Sequence, residues 1–149
     1  MIRIAFFGHS KIQMTKRHED VLLSFLEEFV GEEKAEFFLG GKGDFDGFAL
    51  RCCHLYKERY SNVRLVFITP YLLENNQKYL ECRYDEIVYP NIENKPKRWA
   101  IDYRNRWMLE NADFVVFGVE RTWGGAYKIY TRALKKKKRF LNLLTLGNE

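Results

Sequence analysis

The chain has 149 residues, 46% of them hydrophobic and 16% aromatic, which suits one packed domain and excludes a disordered chain. Its formal charge of +5 is only modestly basic. No apolar run approaches the roughly 20 residues of a membrane helix, and the amino terminus enters a strand pattern without a signal-peptide layout, so a cytoplasmic protein with no membrane partner is expected.

Ile2 to Phe7 reads as a first strand and ends in Gly8-His9-Ser10. A polar loop with Ser10, Lys11 and Thr15 leads to Val21, Leu22, Phe25, Leu26 and Phe29, whose spacing marks one helical face. Ala35 to Leu39 is the second strand, followed by Gly40-Gly41-Lys42-Gly43. Phe48, Ala49, Cys52, Cys53 and Tyr56 form the next helical face, and Val63 to Ile68 is a third strand stopped by Thr69-Pro70. The segment Tyr71 to Pro96 is irregular, carries Tyr79, Tyr84 and Tyr89, and suits a lid or a dimer contact; within it Glu86 to Tyr89 is a short β-like piece. Pro96 precedes a helix from about Lys97 to Asn111, and Asp113 to Phe117 is the fourth strand, ending in Gly118. Ala126, Ile129, Tyr130, Ala133 and Leu134 form the last helical stripe, before a final strand from Phe140 to Leu144.

Strands separated by helices of this length imply parallel βαβ units. The expected fold is α/β: a Rossmann-like three-layer sandwich with a mainly parallel sheet of about five strands and helices on both faces. Neither a repeat nor a linker divides residues 1–149, so one domain is expected.

The three cysteines, Cys52, Cys53 and Cys82, are odd in number and lack CxxC spacing. They read as reduced thiols rather than disulfides. His54 follows Cys52-Cys53, but three consecutive helical residues point in different directions, and no metal is assigned. The run Lys135-Lys136-Lys137-Lys138-Arg139 closes the last helix, where cations suit the negative end of the dipole; a nucleic-acid footprint is the other reading of it.

The chemistry gathers where strands end. Ligands of open α/β sheets bind outside the carboxyl ends of the strands. Gly8, Gly40, Gly41, Gly43, Gly118, Gly124 and Gly125 cluster at such ends, where glycine allows close backbone approach to a ligand. The Gly40 to Gly47 turn offers successive N–H groups and a helix start to an anion. Lys42 would add a point charge there, while Asp46 either caps the helix or accepts a ribose hydroxyl. The turn lacks GxxxxGK[ST], and no G-x-G-x-x-G follows the first strand. Asp44-x-Asp46-Gly47 lacks the downstream ligands of a calcium loop. Gly124-Gly125 opens the last helix, Thr122 can bond an oxygen there, and Trp123 stacks on a base, covers the crevice or packs. His9 either contacts ligand or bonds backbone. Along the helix before strand four, Trp99, Tyr103 and Trp107 share one face expected to pack, and Arg98, Asp102 and Arg106 share a neighbouring stripe. Guanidinium groups such as Arg104 and Arg106 also suit bidentate phosphate binding.

The order strand-GHS, GGKGDFDGFA, RNRWMLENADFVVFG and WGGAYKIYTRA, followed by a basic turn and a strand, resembles the SLOG superfamily. That superfamily joins Rossmannoid domains like DNA processing protein A and Lonely Guy. The resemblance spans nearly the whole chain and is nearest to small stand-alone bacterial and phage members. It implies a parallel sheet and a nucleotide or nucleotide-derived ligand over the strand ends, with no other cofactor required. It also implies pairing of two copies through surface helices. Lonely-Guy-type phosphoribohydrolases carry PGGxGTxxE, and nucleoside deoxyribosyltransferases need a glutamate in the same helix. Here Thr122 to Tyr130 keeps the glycines but carries no carboxylate.

The leading expectation is therefore a nucleotide-ligand-binding domain, a sensor in function, rather than an enzyme. Its site would draw on Gly8, His9, Ser10, Gly40, Gly41, Lys42, Gly43, Asp46, Arg104, Arg106, Gly118, Thr122, Trp123, Gly124 and Gly125. One alternative is an N-glycosidase or phosphoribohydrolase whose carboxylate is relocated to Asp46, Glu120 or Glu81. Another is a single-stranded nucleic-acid-binding protein with Lys135 to Arg139 supplying charge.

Overall fold

A computed structural model describes residues 1–72 and 83–147. Six strands form one sheet: β1 (Ile2–Gly8), β2 (Ala35–Leu39), β3 (Val63–Ile68), β4 (Glu86–Val88), β5 (Phe114–Gly118) and β6 (Phe140–Asn142). Their spatial order is β4-β3-β2-β1-β5-β6, and every neighbouring pair is parallel. The central strands are apolar almost without a break because both faces are covered. Ile4, Phe6, Phe37, Leu39, Leu65 and Phe67 point to one core. Ala5, Phe7, Phe38, Val66, Ile68, Val115 and Phe117 point to the other.

The sheet has one strand more than the sequence pattern suggests. The short piece at Glu86 joins the sheet, pairing Glu86, Ile87 and Val88 with Val66, Phe67 and Ile68. Three half-exposed edge residues cannot display a period of two, so its membership is set by β3 rather than by its own pattern. The last strand is also shorter than expected, ending at Asn142.

Four α-helices flank the sheet among the described residues: α1 (Lys16–Phe29), α2 (Asp44–Arg59), α3 (Ala100–Asn111) and α4 (Gly125–Lys135). α1 starts on a capping box, in which Thr15 Oγ1 accepts from the His18 N–H at 3.4 Å and His18 Nδ1 accepts from the Thr15 N–H at 3.0 Å. A 3₁₀ turn, Lys97–Trp99, leads into α3. α1 and α2 supply Leu22, Leu26, Phe48 and Tyr56 to the first core; α3 and α4 supply Met108, Leu109, Ile129 and Ala133 to the second. Cys52 and Cys53 lie in the first core, and burial pushes the Cys52 thiol up to about 12. Cys82, Tyr79 and Glu81 fall outside the described residues.

This topology locates a crevice. From β1 the chain proceeds outward through β2, β3 and β4, then returns to the other side of β1 for β5. The order reverses between β1 and β5, which is the switch point where open sheets of this kind bind ligands. The basic run lies at the opposite end of the sheet. There Lys138 Nζ donates to Ala112 O at 2.5 Å, and the Arg139 guanidinium lies 5.4 Å from the Phe29 ring centre.

Candidate functional site

At the switch point itself the space is filled. Gly8 and Gly118 are register partners at the ends of β1 and β5. A Cβ on Gly8 would lie 2.1 Å from Cγ of Phe45, and one on Gly118 would lie 2.4 Å from its Cδ1. The Phe45 ring, fully buried in the first turn of α2, covers both glycines. That turn is anchored to the loop after β1: the Asp44 N–H donates to Ser10 O at 2.8 Å and the Phe45 N–H to His9 O at 3.4 Å. Asp44 Oδ2 accepts from the Ile12 N–H at 3.0 Å. Two of the helix's first N–H groups therefore bond backbone carbonyls.

Asp46 is not the helix cap. Gly43 holds that position with φ +96°, and its Cα side presses on Ser10, leaving no room for a Cβ. Asp46 is the third residue of α2, and its Oδ2 accepts from the Lys42 N–H at 3.0 Å, fixing the Gly41–Gly43 turn from within. Burial pushes the Asp46 carboxyl up to about 7, against the pull of the Arg104 guanidinium and the Lys42 N–H. Arg104 is itself buried. It reaches from α3 to the ends of two strands, with Nη1 donating to Gly40 O at 3.1 Å and to Ile68 O at 2.7 Å. Its guanidinium lies 3.5 Å from where a Gly40 Cβ would sit. Lys42 is exposed at the tip of the turn.

His9 is also buried, at 5% exposure. Its Nε2 accepts from the Glu120 and Arg121 N–H groups, each at 3.1 Å. The ring is therefore neutral, with its proton on Nδ1. Burial and the Arg121 charge, opposed by Glu120, lower its pKa below the ordinary value. His9 thus staples the end of β1 to the connection between β5 and α4.

Beside these elements an open groove of about 830 Å³ lies between the loop after β1, the start of α2 with Gly43 before it, and the β5–α4 connection. The loop after β1 contributes Lys11, Ile12, Gln13 and Met14; α2 contributes Asp44, Gly47, Phe48 and Arg51 from one face; the β5–α4 connection contributes Arg121. The groove's charged lining is three cations, Lys11, Arg51 and Arg121, and one carboxylate, Asp44, whose Oδ2 is already engaged by the Ile12 N–H. Arg121 Nη2 donates to Lys11 O, and Arg51 lies 5.6 Å from the Phe48 ring centre and 3.6 Å from Glu19 Oε1. Lys11 has no ion pair among the described residues. Space beside Gly47 is empty, so a ligand can approach the helix backbone there. Sequence reasoning placed Lys11 in a polar loop but missed Arg51 and Arg121. For Arg51 the available signal was its spacing from Asp44, Gly47 and Phe48, which puts all four on one face of the helix.

The remaining residues lie across the sheet, at the amino end of α4. Gly124 has φ +92°, no side chain caps the helix, and Thr122, Trp123, Gly124 and Gly125 are exposed with open space beside both glycines. Trp123 is 61% exposed and carries the Arg121 guanidinium 5.6 Å from its ring centre. Trp99 is 44% exposed rather than packed, with Arg98 at 5.4 Å and Lys128 at 5.7 Å. Tyr103 carries Lys95 at 5.2 Å and Arg106 at 5.3 Å. Asp102 links the two helices, pairing with Arg106 at 3.1 Å and Lys128 at 3.2 Å, so Arg98 is not part of that ladder. Of the tryptophan stripe only Trp107 packs on the sheet, 5.6 Å from Phe38. Asp46 and Glu120 do not line the groove.

The parallel sheet and its reversal at β1 define an open, Rossmann-like α/β fold with helices on both faces. Among solved structures, the chain is similar to DNA processing protein A of Helicobacter pylori, whose single-stranded DNA binding mode has been described, with TM-score 0.67 and 16% identity over 99% of this chain and 67% of that one. It is similar to DNA processing protein A of Streptococcus pneumoniae, with TM-score 0.65 and 11% identity over 95% of this chain and 50% of that one. A Moco carrier protein of Chlamydomonas rheinhardtii gives TM-score 0.52 and 13% identity over 99% of this chain and 77% of that one. No family model matches the sequence, and no curated protein matches it.

Proposed function

We propose that this chain binds a phosphate-bearing nucleotide or nucleotide-derived ligand in the groove over the carboxyl ends of the strands, as a binding or sensor domain. The observation that carries this reading is the charge of the groove: Lys11, Arg51 and Arg121 line it with one carboxylate, Asp44, which already accepts from the Ile12 N–H. Guanidinium and ammonium groups bind phosphate through charge-assisted hydrogen bonds. The groove lies beside the end of the sheet where open sheets of this kind bind ligands, which supports the same reading. Calorimetric titration with AMP, ADP-ribose and NAD tests it. At least one should bind, and Lys11→Ala, an exposed change, should weaken that binding about tenfold. No binding by any of them contradicts the reading.

A second reading, single-stranded nucleic acid, is favoured by the cation-bearing rings on the α3–α4 side. Exposed aromatics flanked by Arg and Lys are the usual stacking platform for unpaired bases, at about 1–3 kcal/mol per base. The likeness to DNA processing protein A supports it at the level of fold. It places the contact surface at Trp99 and Trp123 and not at Lys135–Arg139. Binding of a short oligonucleotide should fall steeply with salt and weaken in Trp99→Ala and Trp123→Ala. No binding at low salt removes this reading.

A further inference from the structure

Resting on the groove reading above, we infer that His9 is a positioning residue that gates the groove by protonation. Its neutral imidazole holds the β5–α4 connection, and with it Arg121, in the anion-binding arrangement; the imidazolium lets that connection go. The inference grows from one atom. His9 Nε2 is the acceptor for both the Glu120 and the Arg121 N–H groups. A neutral imidazole has one acceptor nitrogen and a protonated one has none. Protonation therefore removes both bonds at once and turns an N–H⁺ toward two N–H groups inside a buried site, where unpaired polar groups are costly.

What is released has a clear boundary. Val119 stays fixed, because its N–H donates to Asn142 Oδ1 at 3.0 Å and its carbonyl accepts from Asn142 Nδ2 at 2.9 Å. Glu120 O stays bonded to the Gly147 N–H at 2.8 Å. Beyond that point, the Arg121 N–H loses the bond that His9 supplied, and Thr122 to Gly124 follow it in the chain. Arg121 lines the groove and donates to Lys11 O, so moving its backbone displaces one groove cation and breaks one of the ties on the loop that bears another.

The charges around His9 have opposing effects. Arg121 and burial disfavour the imidazolium, while Glu120 favours it. Lys11 follows on its own loop, and the Asp44 carboxylate of α2 meets that loop at the Ile12 N–H. The direction of the effect is diagnostic. Acidification makes a protein more positive and ordinarily strengthens anion binding; here it weakens it.

The test uses the intact chain with isotope-labelled backbone, and ADP-ribose as probe because its bridging diphosphate keeps its charge over the range used. Without ligand, the Glu120 and Arg121 amide resonances should move with the same midpoint as the His9 ring between about pH 7.5 and about pH 5. ADP-ribose should bind severalfold more weakly at about pH 5 than at about pH 7.5, in step with the fraction of His9 protonated in the free protein. His9→Gln, whose Oε1 accepts at either pH, should abolish that difference. Amides that stay still while His9 titrates, a ring that stays neutral throughout, or the same pH dependence in His9→Gln would each overturn the inference. If ADP-ribose binds at neither pH, the groove reading fails for that ligand, and the amide titration still decides the gate.

Discussion

Glycine at a strand end leaves room for a ligand or for another side chain, and only the third dimension says which. At Gly8 and Gly118 the occupant is the Phe45 ring. Gly118→Ala should therefore lower stability by about 1–3 kcal/mol through overpacking, read as a fall in denaturant midpoint, and Phe45→Leu on the same background should recover part of it. Equal stability of Gly118→Ala and the parent would show that the ring is free to yield. Asp46 gives a pH-dependent prediction. Its carboxyl titrates near 3.8 in an unfolded chain and at about 7 in the fold, because burial disfavours the charge. The native state therefore binds more protons between those values, and this residue's contribution to stability declines as pH rises from about 4 to about 7. Asp46→Asn keeps an acceptor for the Lys42 N–H and should flatten that stretch of the stability profile. His9 acts in the opposite sense: its folded pKa is depressed, so its contribution is whole above 6.5 and declines as pH falls below that value.

The two helices that start at the carboxyl ends of β2 and β5 differ at their first turns. α2 gives N–H groups to the Ser10 and His9 carbonyls, whereas α4 begins at exposed glycines without a side-chain cap. Arg104 joins α3 to the ends of β2 and β3 by two hydrogen bonds from one nitrogen. Arg104→Met should cost about 2 kcal/mol or more, since two buried carbonyls lose their donor, while ADP-ribose affinity at saturating folded fraction stays within about twofold because Arg104 does not line the groove. A large affinity loss in a fully folded variant would put Arg104 in contact with ligand. The elements were legible because apolar runs such as Ala35–Leu39 and stripes such as Leu22, Leu26 and Phe29 carry their own period. β4 was legible as a short β-like piece but not as a member of the sheet, because three residues paired on one side take their place from β3. Trp99 and Trp107 share a helical stripe, yet one is exposed and the other packs on Phe38; spacing gives the face and not what lies opposite it. Of the residues that the sequence nominates for a site, Gly43 lines the groove. The groove's cations were not legible, since Lys11, Arg51 and Arg121 come from three separate segments that only the parallel topology brings together.

Across the whole molecule, positive charge divides between the two ends of the sheet. The Lys135–Arg139 run lies by the amino end of β5, where Lys138 and Arg139 are tied to Ala112, Phe29 and Phe114. Lys11, Arg51 and Arg121 surround the groove at the carboxyl end. No helix among the described residues is long and apolar enough to cross a membrane. Occupation of the groove by a nucleotide phosphate is tested most directly by a crystal structure of the chain grown with ADP-ribose at saturating concentration. Diphosphate density is expected within hydrogen-bonding distance of Lys11, Arg51 and Arg121, beside Gly47. Ligand density elsewhere, or a groove that stays empty in crystals where its mouth is unobstructed, would contradict it.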